Sequence, residues 1–159
     1  PQSNLKLGSG VAPVPAMLRQ GITVALGTDG AASNNNLDML EEMRTAAMLH
    51  KGVNMDPTLV TAGEVLSMAT ANGAKALGLE NSGSLKVGGK ADMILVDFSQ
   101  ANLIPRWDSL SHIVYSASSC DIKTMIVDGK LIMENRRILT LDEEEICSQV
   151  NKRFERYCE

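Results

Sequence analysis

Aromatic side chains are scarce: Phe, Trp and Tyr make up 3% of the 159 residues, so a core must be filled by Leu, Ile, Val, Met and Ala. Histidine is scarcer still. His50 and His112 lie far apart in the sequence, and neither falls at a strand end, so no two-histidine metal motif is present. His50 reads as a helix C-terminal residue, where a cation is favoured. The three cysteines, Cys120, Cys147 and Cys158, lack metal-knuckle spacing and form no disulfide framework, which fits a reducing cytoplasm. No apolar run approaches the ~18 residues of a membrane span, and the start has no signal-peptide core. Lys and Arg are scattered and the formal net charge is −4, which argues against nucleic-acid binding. There is no glycine-rich phosphate loop, and no Ser or Cys nucleophile has an identifiable base.

What is present is 44% apolar residues, enough for a core, with nine Met as adaptable packing. One domain is the default for this length, and two small ones also fit. The most informative stretch runs from Ile22 to Asn36. Ile22-Thr23-Val24-Ala25-Leu26 reads as a buried strand. Gly27-Thr28-Asp29-Gly30-Ala31-Ala32-Ser33-Asn34-Asn35 is a burst of small and turn residues, after which a helical pattern begins at Leu37. In barrels of such βα units the chemistry sits on the loops after the strands. Asp29 is the first ionisable side chain in that position, although Thr-Asp-Gly is also ordinary turn chemistry.

Along the rest of the chain, Pro1 to Gly10 reads as loop and Val14 to Gln20 as a short helix with Pro15 in its first turn. Asn36 is a candidate cap for the next helix, whose apolar face is Leu37, Leu40, Met43 and Ala47. Asp38, Glu41 and Glu42 read as a solvated, acidic helix start, and Arg44 is placed on the wet side. Thr61 to Glu64 and Thr140 to Glu143 match the capping-box pattern. Gly83 to Asp97 reads as turn then strand, Ile113 to Tyr115 as a strand, and Asp128-Gly129 as a two-residue hairpin turn. The last helix carries Ile146, Cys147, Val150, Phe154 and Tyr157 on one face.

The phrase from Gly27 to Asn35, followed by Leu37-Asp38-Met39-Leu40-Glu41-Glu42-Met43-Arg44, resembles the last barrel strand and helix of the amidohydrolase superfamily. Within it, the similarity is to the 5′-methylthioadenosine/S-adenosylhomocysteine deaminases. Thr70 to Leu79 resembles a further helix signature of that superfamily, and Gly83 to Asp97 resembles the point where the chain leaves the barrel for a small β-sandwich.

The resemblance implies an α/β fold: the C-terminal part of a TIM-type (β/α)8 barrel hydrolase over residues 1–82, part of a β-sandwich over 83–139 and a C-terminal helix over 140–159. It implies that Asp29 is both metal ligand and catalytic proton shuttle, with Ser33 and Asn4 behind it. The parent would use one divalent ion, zinc by preference, to lower the pKa of a water, and would deaminate a small purine nucleoside hydrolytically. The family's histidine ligands and acidic proton donor would lie upstream, since a full barrel takes about 250 residues. The chain is therefore expected to be the C-terminal part of a cytoplasmic enzyme and inactive alone. Partners are expected to be the nucleoside, with no nucleic acid or membrane, and either a second copy or the missing N-terminal portion. Alternatives are another amidohydrolase, of guanine deaminase or triazine hydrolase type, and a non-catalytic folded fragment or interaction module.

Overall fold

Residues 1–158 are described by the computed structural model; Glu159 and the side chain of Cys158 lie outside it. The first half is helical: α1 Gln2–Leu7, α2 Val14–Arg19, α3 Ala31–Asn34, α4 Met39–Asn54, α5 Ala62–Ala69 and α6 Ala71–Ala76. The second half is mixed: β1 Met93–Val96, α7 Ser109–Tyr115, β2 Ile122–Val127, β3 Lys130–Glu134, β4 Arg137–Ile138 and α8 Glu143–Cys158.

The core forms where α4, α5 and α7 pack against one another. Leu40, Met43, Ala46 and Ala47 of α4 meet Val65 and Met68 of α5 and Val114 of α7, with Val60, Leu103 and Ala117 from the connections. Small Ala residues on the inner face of α4 let its neighbours approach closely. Asp38, not Asn36, caps α4, its carboxylate accepting from the N–H groups of Leu40 and Glu41 at 2.8 and 3.2 Å; Asn36 instead donates to the Glu41 carboxylate. The capping box of α5 is complete. Glu64 accepts from the Thr61 N–H at 2.6 Å, and the Thr61 hydroxyl accepts from the Glu64 N–H at 3.4 Å.

The four strands form one antiparallel sheet in the order β1-β2-β3-β4. The β2–β3 turn is Asp128-Gly129 as expected, with φ of 49° and 74°, the paired left-handed values of a primed turn. A second such turn, Asn135-Arg136 with φ of 46° and 66°, joins β3 to β4.

Several expectations are overturned. Residues 1–10 carry the helix α1 rather than only loop. Ile113 to Tyr115 ends α7 rather than forming a strand, because Asp108 caps a helix there through the N–H groups of Leu110 and Ser111. Helix α8 is opened by Asp142, which accepts from the Glu145 N–H at 3.0 Å, and not by a Thr140 box. Arg44 is half-buried rather than on the wet side; its guanidinium donates to the carbonyls of Val114, in the last turn of α7, and of Ala117 just beyond it, where helix carbonyls lack intrahelical partners. Ile22 to Leu26 forms no ladder. A strand needs a neighbouring strand to complete its hydrogen bonds, and none of the described strands reaches this segment. No helix among the described residues is long and apolar enough to cross a membrane.

Two outcomes follow for stability. Leu103 is fully buried, so Leu103→Ala should cost about 2–5 kcal/mol in urea unfolding, while the exposed Leu37→Ala stays within about 0.5 kcal/mol. His50 is buried on α4, and burial lowers its pKa from the usual 6.5. A base whose folded pKa is lowered opposes folding when protonated, so the stability it permits is present above 6.5 and falls as pH drops below that value. Urea midpoints measured either side of that pH should show a decline on acidification that His50→Leu reduces.

Candidate functional site

The segment before Asp29 is held by the helices beneath it instead of by a strand. Leu26 donates its N–H to the Met68 carbonyl at 3.0 Å. The Val24 carbonyl accepts from the Asn72 side chain at 2.9 Å, and Lys75 Nζ lies 3.0 Å from Thr23 Oγ1. The Thr70 to Leu79 stretch thus supplies two polar anchors, Asn72 and Lys75.

Asp29 follows, exposed, with φ of 62°. That is the left-handed region, which Asp tolerates better than most residues because its short polar chain bonds locally. Here Asp29 Oδ1 accepts from the Gly30 N–H at 2.7 Å, and the Thr28 hydroxyl donates to the Asp29 carbonyl at 3.0 Å. The short helix α3 begins immediately after Gly30.

The residue that fixes this loop is Asn34, at the end of α3. Its buried side-chain amide donates to the Thr28 carbonyl at 2.7 Å and to Glu42 Oε1 at 2.9 Å. Glu42 is fully buried on α4. Its other oxygen accepts from the Gln2 N–H at 3.3 Å and lies 2.6 Å from the Pro1 nitrogen. Glu42 is therefore not part of a solvated helix start. A buried carboxylate without partners would be prohibitive; this one is bonded at both oxygens. Sequence reasoning missed both residues. The signal was available for Glu42, since it lies one turn before Ala46 on the inner face of α4, and a charge in an apolar stripe calls for a partner. Asn34 was hidden in the run Asn34-Asn35-Asn36, which reads as turn.

The other candidates are placed as follows. Ser33 is half-buried within α3 and Asn4 is exposed on α1; no hydrogen bond joins either to Asp29 among the described residues. Asn4 and His50 both line a cleft of about 210 Å³, together with Val24 to Gly27. That cleft stops short of Asp29. His112 is bonded within α7, its Nδ1 lying 2.7 Å from the Asp108 carbonyl. The carboxyl most displaced from its ordinary value is Asp97, brought down to about 2 by the hydroxyl and N–H of Ser99; it shapes the turn after β1, away from the Asp29 loop.

Among the described residues, no three His, Cys, Asp or Glu side chains lie close enough to hold a metal ion. A zinc site takes three or four protein ligands. Asp29 alone does not fit that requirement.

The sequence profile of the Amidohydrolase family matches residues 1–132. A 5-methylthioadenosine/S-adenosylhomocysteine deaminase of Dictyoglomus thermophilum is 60% identical over 153 residues, 96% of this chain and 36% of that protein. A 5′-deoxyadenosine deaminase of Methanosarcina acetivorans is 58% identical over 94% of the chain and 34% of its own length. Among solved structures, a zinc-bound adenosine deaminase from Xanthomonas campestris superposes with a TM-score of 0.95 at 39% identity, over 98% of this chain and 36% of its own. A zinc complex of atrazine chlorohydrolase from Arthrobacter aurescens gives 0.88 at 29% identity, over 95% and 34%. The chain thus spans about a third of the length of the relatives it matches. The fold is α/β and corresponds to part of a TIM-type barrel of the amidohydrolase kind. A family profile that covers the chain from Pro1 through the β2–β3 hairpin, with relatives this similar over nearly all of it, means that the chain belongs to the amidohydrolase family.

Proposed function

We propose that this chain is the C-terminal third of a hydrolytic deaminase acting on a small purine nucleoside, of the S-adenosylhomocysteine, 5′-methylthioadenosine or 5′-deoxyadenosine kind. The observation that carries the reading is Asp29, an exposed carboxylate in a left-handed turn whose Thr28 carbonyl accepts from the buried Asn34 side chain, in a chain 60% identical to a protein named for that activity. Residues 1–82 are assigned to the barrel, 83–139 to the sandwich portion and 140–159 to the C-terminal helix.

The zinc of the neighbouring structures supports a divalent ion in the whole enzyme. This chain would contribute Asp29 to it, and the remaining ligands would come from the other two thirds of the protein. What the chain itself supplies is a positioned base. Deprotonated, Asp29 accepts a proton from the attacking water as the new C–O bond forms at the amino-bearing carbon. It returns that proton to the departing amine as the C–N bond breaks, so that ammonia leaves and the ring carbonyl remains. Ser33 and Asn4 are assigned to positions behind Asp29. By itself the chain is inactive, and it associates with a second copy or with the missing barrel portion. Exposed Ile22, Leu37, Leu77 and Leu85 leave apolar surface of the kind such contacts cover.

The full-length enzyme assayed for ammonia release should prefer adenosine derivatives over guanine and triazine substrates. Asp29→Asn should remove turnover while circular dichroism stays unchanged; near-normal turnover would remove Asp29 from the mechanism. The isolated 17.1 kDa chain should sediment as an oligomer, and a clean monomer would refute self-association.

A further inference from the structure

We propose that Asn34 and Glu42 are positioning residues that hold the Asp29 carboxylate in its working orientation; the proposal rests on the role assigned to Asp29 above. Asn34 has two side-chain N–H donors, and both are committed. One goes to the carbonyl of Thr28, the residue immediately before Asp29, and the other to the Glu42 carboxylate. The amide therefore ties the turn that sets the Asp29 backbone to the longest helix of the core. Glu42 is held in turn by the N–H of Gln2 on α1, so three separate elements meet at one carboxylate.

The arrangement is specific to the loop's geometry. Asp29 is in the left-handed region at φ 62°, supported locally by its bond from the Gly30 N–H and, through the Thr28 carbonyl on its N-terminal side, by Asn34. A buried carboxylate is weak evidence of stabilisation, since an apolar residue of similar volume often serves as well. The Glu42 oxygens instead face donors that an apolar side chain would leave unpaired. The role that fits is orientation: Glu42 orients Asn34, and Asn34 orients the Thr28–Asp29 peptide.

Two measurements test it. In this chain, Asn34→Leu keeps the side-chain size but removes both donors. Exchange of the Gly30 amide, which donates to Asp29, should then accelerate at least several-fold; unchanged exchange would overturn the proposal. In the full-length, metal-loaded enzyme, Asn34→Leu should lower kcat by about 100-fold, the penalty of a small misplacement of a reacting group, with KM within a few-fold. Turnover is counted per folded molecule, so a purely structural role would leave kcat unchanged and refute the idea. Glu42→Gln still presents an oxygen to Asn34 and should retain more activity than Glu42→Leu; equal losses would also refute it. Should Glu42→Leu fail to fold, the Asn34→Leu kcat and exchange measurements decide alone. If Asp29→Asn is inactive while Asn34→Leu is normal, only this proposal falls. If Asp29→Asn is active, the underlying reading falls instead.

Discussion

The hydrogen bond from Asn34 to Glu42, 2.9 Å long and buried, is the contact through which the Asp29 loop is joined to the core. The loop's other bonds are local, between Thr28, Asp29, Gly30 and α3, or run from Lys6 of α1 to Asn35, and none of these reaches α4. With the Asn34–Glu42 bond, the position of the Thr28 carbonyl is set by α4, and α4 is set by the apolar packing of Leu40, Met43, Ala46 and Ala47 against α5 and α7. A polar contact has this authority only where water is excluded. There a missing partner costs about 1–3 kcal/mol, and the bonded geometry is strongly preferred.

The same core anchors the second half of the chain. Arg44, on the flank of α4, binds the last carbonyls of α7. Val96 at the end of β1, Phe98 just after it, and Ile122 at the start of β2 pack against the helical cluster, while the Asp97 N–H bonds the Asp121 carbonyl at 2.8 Å. The sheet thus meets the helices at the end of β1 and the start of β2.

The segment from Ile22 to Leu26 shows what a strand becomes without neighbours. Its sequence is β-branched and apolar, yet its backbone is bonded to Met68 and to the side chain of Asn72 rather than to a ladder. Helices α5 and α6 hold it through these bonds, and Asp29 follows at its end.

Much of this could be read directly from the residues. Thr61 and Glu64 form a capping box and Asp128-Gly129 makes a primed turn, because each depends on neighbours within a few positions of the chain; the burst around Asp29, read as turn throughout, is a turn only up to Gly30, and its Ala31–Asn34 portion is the short helix α3. The Asp29 phrase also carried the family. What the chain alone did not reveal depends on groups distant in sequence. Ile113 to Tyr115 is helical because Asp108 caps it and Arg44 receives its end. Glu42 is buried because α1, α3 and α4 converge on it. Ile22 to Leu26 lacks a ladder because no strand arrives beside it. Local bonding chemistry is written in adjacent residues, whereas burial and the partners of a buried charge exist only once distant segments have packed together.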